Sequence, residues 1–223
     1  LSLDALLTQI VLNTTGTSNL EAAKKKISKV KTLVQKSSMT TEQIPFPLQN
    51  VSIYTNKGIK AEKVEVQGNV AQKQYFNGKE GYQFSMQTGK KSLSAIEIEM
   101  ESTEMGVVPE LLWLTSVKKP ELRGIEMENG AYYYVLKFTF GSEAEVYYYY
   151  EKNSLQKAKT VRVMNKDGES QTAITTYSDF KEVNGIKFPH KSIANLGPLT
   201  LNITVDTLTI NGKVDLKEFE QKD

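Results

Sequence analysis

Glycine-bearing turn signals recur along this chain between segments in which apolar and polar residues alternate. That pairing constrains the fold more than any other feature. Asn56-Lys57-Gly58, Gly68-Asn69, Asn77-Gly78, Lys166-Asp167-Gly168, Asn184-Gly185 and Asn211-Gly212 supply residues that tolerate positive φ, as tight hairpin turns require. The runs at 32–41, 49–56, 59–67, 70–77 and 80–86 have a period of two and read as strands. Short strands joined in sequence by tight turns give an antiparallel meander.

In the second half the register itself is legible. Tyr132, Tyr134, Leu136, Phe138 and Phe140 alternate with Tyr133, Val135, Lys137 and Thr139, and after Gly-Ser-Glu come Ala144, Val146, Tyr148 and Tyr150. A three-residue loop, Gly141 to Glu143, pairs Phe140 with Ala144, Phe138 with Val146 and Leu136 with Tyr148. A two-residue turn would set Phe138 against Glu145. Only the longer loop keeps one face apolar, as a buried sheet face demands. The opposite face then carries Val135, Lys137, Tyr147 and Tyr149, so it is either covered or binds a partner. Strands at 156–165 and 170–180 follow. A turn centred on Asn184-Gly185 opposes Val183 with Ile186, Glu182 with Lys187 and Lys181 with Phe188. Leu201, Ile203 and Val205 share one parity while Leu208 and Ile210 take the other, which predicts a bulge near Asp206-Thr207.

Helices interrupt this pattern. Leu3, Leu6, Leu7, Ile10 and Val11 fall on one helical face, stopped by Thr14 to Thr17 around Gly16. Ser18 or Asn19 caps a second helix, with Leu20, Ala23, Ile27 and Val30 inward and Lys24-Lys25-Lys26 expected on its solvated side. Residues 92–104 fit a helix better than a strand. Pro109 suits the first turn of another helix, whose Leu111, Leu112, Trp113 and Leu114 form the most apolar patch of the chain. The tail from Val214 is short and charged, with Val214, Leu216 and Phe219 available to pin it down.

Composition narrows the function. The 223 residues carry 28 Lys and Arg against 26 Asp and Glu, a net charge of +2, which gives no reason to expect nucleic acid. With no cysteine and one histidine, thiolate metal sites, catalytic thiols, disulfides and two-histidine zinc motifs are excluded. His190 follows Pro189 in a polar turn region without a carboxylate at ligand spacing. Neither a P-loop nor a Gly-x-Ser-x-Gly elbow is present. Glu97, Glu99, Glu101 and Glu104 read as a solvated carboxylate face. No cofactor and no enzymatic activity are expected. No linker divides the chain, so residues 1–223 are expected to form a single domain. A chain opening at Leu1 without a signal peptide reads as a processed product or a piece of something longer.

Several segments together resemble LolA-like and LolB-like lipoprotein-sorting proteins of the Bacteroidetes type. They are "LDALLTQIVLNTTGTSNLEAAKKKISKVKTL", "AEKVEVQGNVAQKQYFNGKEGYQFS", "YYYVLKFTFGSEAEVYYYYEKNSLQKAKTV", "YSDFKEVNGIKFPHKSI" and "LTINGKVDLKEF". The resemblance implies an α+β, mainly β fold: a curved antiparallel sheet, an incomplete barrel, with helices plugging its concave face. It also implies a periplasmic or cell-envelope carrier of acyl chains, with a lipid or acylated protein as partner and peripheral membrane contact at most. Similar domains end pitrilysin-type zinc-protease-like chains, whose zinc motif is missing here. LolA proper uses an arginine latch, to which neither Arg123 nor Arg162 corresponds, and LolB is lipidated on a cysteine that this chain lacks.

Two readings follow. In the first, an acyl chain or other apolar ligand lies between sheet and helices, against Met100, Met105, Leu111, Leu112, Trp113, Tyr134, Leu136 and Phe138. In the second, the outer Tyr147 and Tyr149 meet an envelope protein partner.

Overall fold

The computed structural model describes residues 1–166 and 168–219. Two helices come first, α1 (Leu3–Thr15) and α2 (Leu20–Ser28). Six strands follow: β1 (Thr32–Thr41), β2 (Ile44–Thr55), β3 (Lys60–Val66), β4 (Asn69–Phe76), β5 (Gly81–Ser85) and β6 (Gly89–Ser92). Helices α3 (Ala95–Thr103) and α4 (Pro109–Thr115) separate these from seven more: β7 (Glu121–Glu128), β8 (Ala131–Phe140), β9 (Ala144–Glu151), β10 (Lys157–Lys166), β11 (Glu169–Val183), β12 (Ile186–Leu196) and β13 (Leu199–Ile210).

All thirteen strands join one open antiparallel sheet in the order β6-β5-β4-β3-β2-β1-β13-β12-β11-β10-β9-β8-β7. Every neighbour is a sequence neighbour except β1 and β13. The two edges are β6 and β7, which carry Lys90 and Lys91, and Glu126 and Glu128. Charges of this kind discourage edge-to-edge association.

The hairpin registers follow the alternation. Phe140 pairs with Ala144, Phe138 with Val146 and Leu136 with Tyr148. Val183 pairs with Ile186 and Glu182 with Lys187, across Asn184 at φ 52° and Gly185 at φ 72°. The bulge falls at Asp206: Thr207 faces Lys36 while Val205 faces Ser37. The turn expected at Lys166-Asp167-Gly168 includes Asp167, which lies outside the described residues; its flanks pair as Lys166 with Glu169.

Three elements differ from the sequence reading. β2 begins at Ile44, before Pro45 and Pro47, rather than at 49. Residues 44–47 have no partner on the β3 side, so the missing proline N–H groups cost no ladder bond there. β6 and β7 were not foreseen. In β7 the extra residue Arg123, between Leu122 opposite Leu136 and Gly124 opposite Val135, flips the apolar parity and hides the strand.

The helices lie on the concave face. Ser2 caps α1, with its side chain accepting from the Ala5 N–H, and Gly16 ends it at φ 58°. Leu6, Leu7 and Ile10 are fully buried against β8 and β9. Asn19 caps α2 and Ala23 is its buried residue. Lys26 departs from the expected solvated side. Its Nζ donates to the carbonyls of Thr15 (2.6 Å) and Gly185 (3.2 Å), tying α2 to the β11–β12 turn. On the convex face the tail packs Phe219, Leu216 and Val214 over Ile53, Ala61 and Val34. Lys63 pairs with Glu218 at 2.7 Å, and the Tyr82 hydroxyl donates to the Phe219 carbonyl.

Candidate binding site

One end of the concave face is filled. Trp113 projects from α4 into the angle between Phe138 (ring centroids 5.2 Å) and Tyr148 (4.9 Å). Its Nε1–H donates to the Thr103 carbonyl at 2.7 Å, which fastens α4 to the end of α3. Trp113, Leu136 and Phe138 are fully buried, and Met100 and Tyr134 pack against the same cluster. Five of the eight residues expected to meet a ligand therefore belong to a packed interior.

The other three, Met105, Leu111 and Leu112, come together elsewhere. They line an open cleft of about 440 Å³ whose walls are α4 with the preceding Gly106, Val107 and Val108, the α2 residues Lys24 and Ile27, and the β2–β3 turn at Thr55, Asn56 and Gly58. Local sequence explains the shape. Gly106 adopts φ 96° and Pro109 starts α4, so residues 105–108 cross as an irregular strap. α4 then turns Trp113 inward and leaves Leu112 39% exposed.

Beneath the helices runs a polar seam that corrects the expectation of a solvated glutamate face. Glu97 accepts from Gln83 (3.1 Å). Glu101 accepts from Lys60 (2.6 Å) and Gln74 (2.7 Å). Glu104 takes Arg162 at 2.5 Å and the Tyr148 hydroxyl at 2.6 Å. Glu110, 4% exposed, takes Lys157 at 3.0 Å and the Tyr150 hydroxyl at 2.5 Å. Arg162 thus links the sheet to the α3–α4 connection. Glu99 pairs instead with Lys118 of the α4–β7 connection at 2.5 Å.

These contacts settle the charge states. Burial pushes the Glu104 carboxyl up, but Arg162, Lys60 and the Tyr148 hydroxyl more than offset it and bring it down to about 2. Burial likewise opposes ionisation of Glu110, and Lys157 with Tyr150 reverses the effect, leaving it below the usual carboxylate range. Burial and the neighbouring carboxylates push the Tyr148 and Tyr150 hydroxyls well up. Each of these carboxylates is an ion-paired anion at neutral pH, a poor general acid and an occupied base. Among the described residues no group of three His, Asp or Glu side chains could hold a metal ion. His190 contacts the Phe188 carbonyl through Nδ1 at 3.0 Å.

The outer face of β8–β10 is not bare. Lys159 lies over the Tyr149 ring at 4.2 Å and Lys137 over Tyr147 at 5.3 Å. Tyr147 donates to Glu145 at 2.6 Å, and Tyr133 meets Tyr149 edge-on. Burial and the nearby Glu126 and Glu128 push the Tyr149 hydroxyl up to about 12. Lysine stems and rings shield one another.

No protein-family model matches this sequence, and no curated protein matches it either. Solved structures do. A LolA superfamily protein from Nitrosomonas europaea superposes with a TM-score of 0.57 at 12% identity, covering 88% of this chain and 95% of that one. A domain described as an outer-membrane lipoprotein-sorting protein from Vibrio parahaemolyticus gives 0.55 at 9% identity, covering 90% and 95%. A DUF1329 family protein from Desulfovibrio piger gives 0.58 at 10%, covering 98% and 95%. The fold is LolA-like. At these identities the likeness concerns architecture, and within that LolA-like architecture the cleft and seam are properties of this chain's own residues.

Proposed function

We propose that this chain is a non-catalytic carrier of the cell envelope, working in the periplasm, that holds an acyl chain or another apolar ligand in the cleft between α2, the β2–β3 turn and α4. The observation that carries this reading is the cleft itself. Met105, Val107, Val108, Leu111, Leu112 and Ile27 give it apolar walls, and its volume lies in the range of small-molecule sites. Burying about 200 Å² of ligand hydrocarbon at ~25 cal/mol per Å² contributes ~5 kcal/mol toward binding, before the cost of association, without polar chemistry. Lipoprotein sorting by a LolA-like neighbour is consistent with such a ligand, and the partner would be a lipid or an acylated protein.

The reading narrows the ligand contact to Met105, Leu111 and Leu112. Trp113, Leu136 and Phe138 then serve as the floor that keeps α4 in place. An interaction domain presenting Tyr147 and Tyr149, as on a protease-like envelope protein, draws less support, because both rings already have lysine and glutamate partners.

Titration of the purified chain with a fluorescent fatty acid, followed by displacement with unlabelled lipid, tests the carrier reading. Saturable uptake that falls with Leu111→Asp and with Met105→Asp is the expected result. Uptake that is absent, or untouched by both substitutions, would refute it.

A further inference from the structure

The cleft has a charged setting that hydrocarbon binding does not use. Residues 20–31 contain five lysines and one glutamate. Of the five, Lys26 is turned inward to the Thr15 and Gly185 carbonyls, while Lys24, Lys25, Lys29 and Lys31 are exposed. Lys24 lines the cleft and is held by Glu21 at 3.3 Å. Lys29 caps the end of α2 and Lys31 follows in the short connection to β1.

A further lysine joins them from the sheet. Lys57 is exposed in the β2–β3 turn, between the cleft residues Asn56 and Gly58. The turn is fixed against the end of α2: the Asn56 N–H donates to the Lys31 carbonyl at 2.9 Å, and the Gly58 N–H to Thr55 at 3.1 Å. Lys24 and Lys57 thus stand at an apolar opening that exposes Leu112, Lys31 is joined to its wall through Asn56, and Lys25 and Lys29 add charge to the exposed surface of α2 and its C-cap.

An apolar opening bordered by exposed cations suits a bilayer carrying anionic headgroups. Lysines gain there from the negative surface potential while apolar side chains enter the acyl boundary. We propose that the cleft mouth docks on an anionic membrane through Lys25, Lys29, Lys31 and Lys57, with Leu112 at the acyl boundary, so that a hydrocarbon chain passes between bilayer and cleft without crossing water. This rests on the carrier reading for the cargo, but the docking is separately measurable. Binding is electrostatic and reversible, so it weakens as salt rises.

Co-sedimentation with phosphatidylcholine vesicles, with and without phosphatidylglycerol, tests it. The wild-type chain is expected to bind only the anionic vesicles and to be released by salt. Each lysine near the surface is worth about fivefold in partitioning, so Lys25→Ser, Lys31→Ser and Lys57→Ser together should lower it by more than about tenfold. A triple change at Lys36, Lys152 and Lys191, away from the cleft, should lower it far less. Equal binding to neutral vesicles, no vesicle binding, or equal loss in the two triples would overturn the docking, and an acidic protein would then be the better partner for the lysines. Fatty-acid uptake by the wild-type chain is read in parallel. Uptake without vesicle binding defeats the docking and leaves the carrier; vesicle binding without uptake upholds the docking and defeats the carrier.

Discussion

Leu112 and Trp113 are neighbours on α4 and belong to different worlds. Trp113 is 1% exposed, wedged among aromatic rings with its N–H satisfied; Leu112 is 39% exposed on the wall of an open cleft. One side of the helix is anchored and the other is on offer. The difference lies in what faces α4. Toward β8 and β9 the sheet presents Leu136, Phe138, Val146 and Tyr148, and α1 fills the remaining space. Toward β1 and β2 the concave face turns polar, with Gln35 opposite Ser52 and Ser37 opposite Asn50 on the inward side of the strands, and helices cannot seal onto it by hydrocarbon contact. A helix rigidly held along one side can leave apolar residues open on the other without collapsing over them.

The comparison breaks most readily at its anchored side. Trp113→Ala removes a large buried side chain and leaves a cavity, so it should cost about 3–5 kcal/mol in a denaturant titration. A loss below about 1 kcal/mol would mean that α4 is not anchored there.

The seam comes next. Glu104 is 19% exposed and Arg162 40% exposed, so the pair is only partly shielded from solvent. Glu104→Gln should cost about 1–3 kcal/mol at neutral pH, less than a fully buried pair would. The carboxyl is lowered on folding, from 4.5 to about 2. Its contribution is therefore fully present above the unfolded value and is lost as pH falls from about 5 toward 2. Thermal melts across that range should show the gap between wild type and Glu104→Gln closing on acidification. A gap independent of pH would assign the effect to packing rather than charge.

A smaller effect is expected on the convex face. Phe219→Ala should free the tail, raising protease cleavage after Lys217, while costing the whole fold no more than about 1–2 kcal/mol, because detachment limits the loss. Tyr149→Ser, which removes the ring beneath Lys159, should cost about 0.5–1 kcal/mol. The smallest stability effect belongs to the other half of the opening pair. Leu112→Ser should change stability by about 0.5 kcal/mol or less while weakening fatty-acid uptake. A large destabilisation there would show that the cleft is closed in solution.

Much of the fold was legible because it depends on local signals. Asn184-Gly185 set a turn and a register together, and the parity switch after Val205 located the bulge at Asp206. β7 was hidden by the same physics that revealed that bulge: one extra residue at Arg123 scrambled the alternation before a strand had been recognised. β6 was hidden because Gly-Lys-Lys-Ser has no apolar residue to alternate. The seam was illegible for another reason. Four glutamates on a short helix look solvated until Lys60 and Arg162 arrive from strands about forty and sixty positions away, and no local pattern announces that meeting. The candidate site was half legible: the apolar patch at 111–114 was evident, but which of its residues would point into the interior depends on how α4 is seated.

Among the described residues, every strand pairing is between sequence neighbours except that of β1 with β13, which joins residues near the start of the chain to residues near its end. The molecule is thus two self-templating ribbons zipped along a single line. Nearly all the loop-closure entropy of the sheet is concentrated in that zip, so slow refolding should respond to changes at Ser37 and Val205, while the hairpins on either side assemble early and independently.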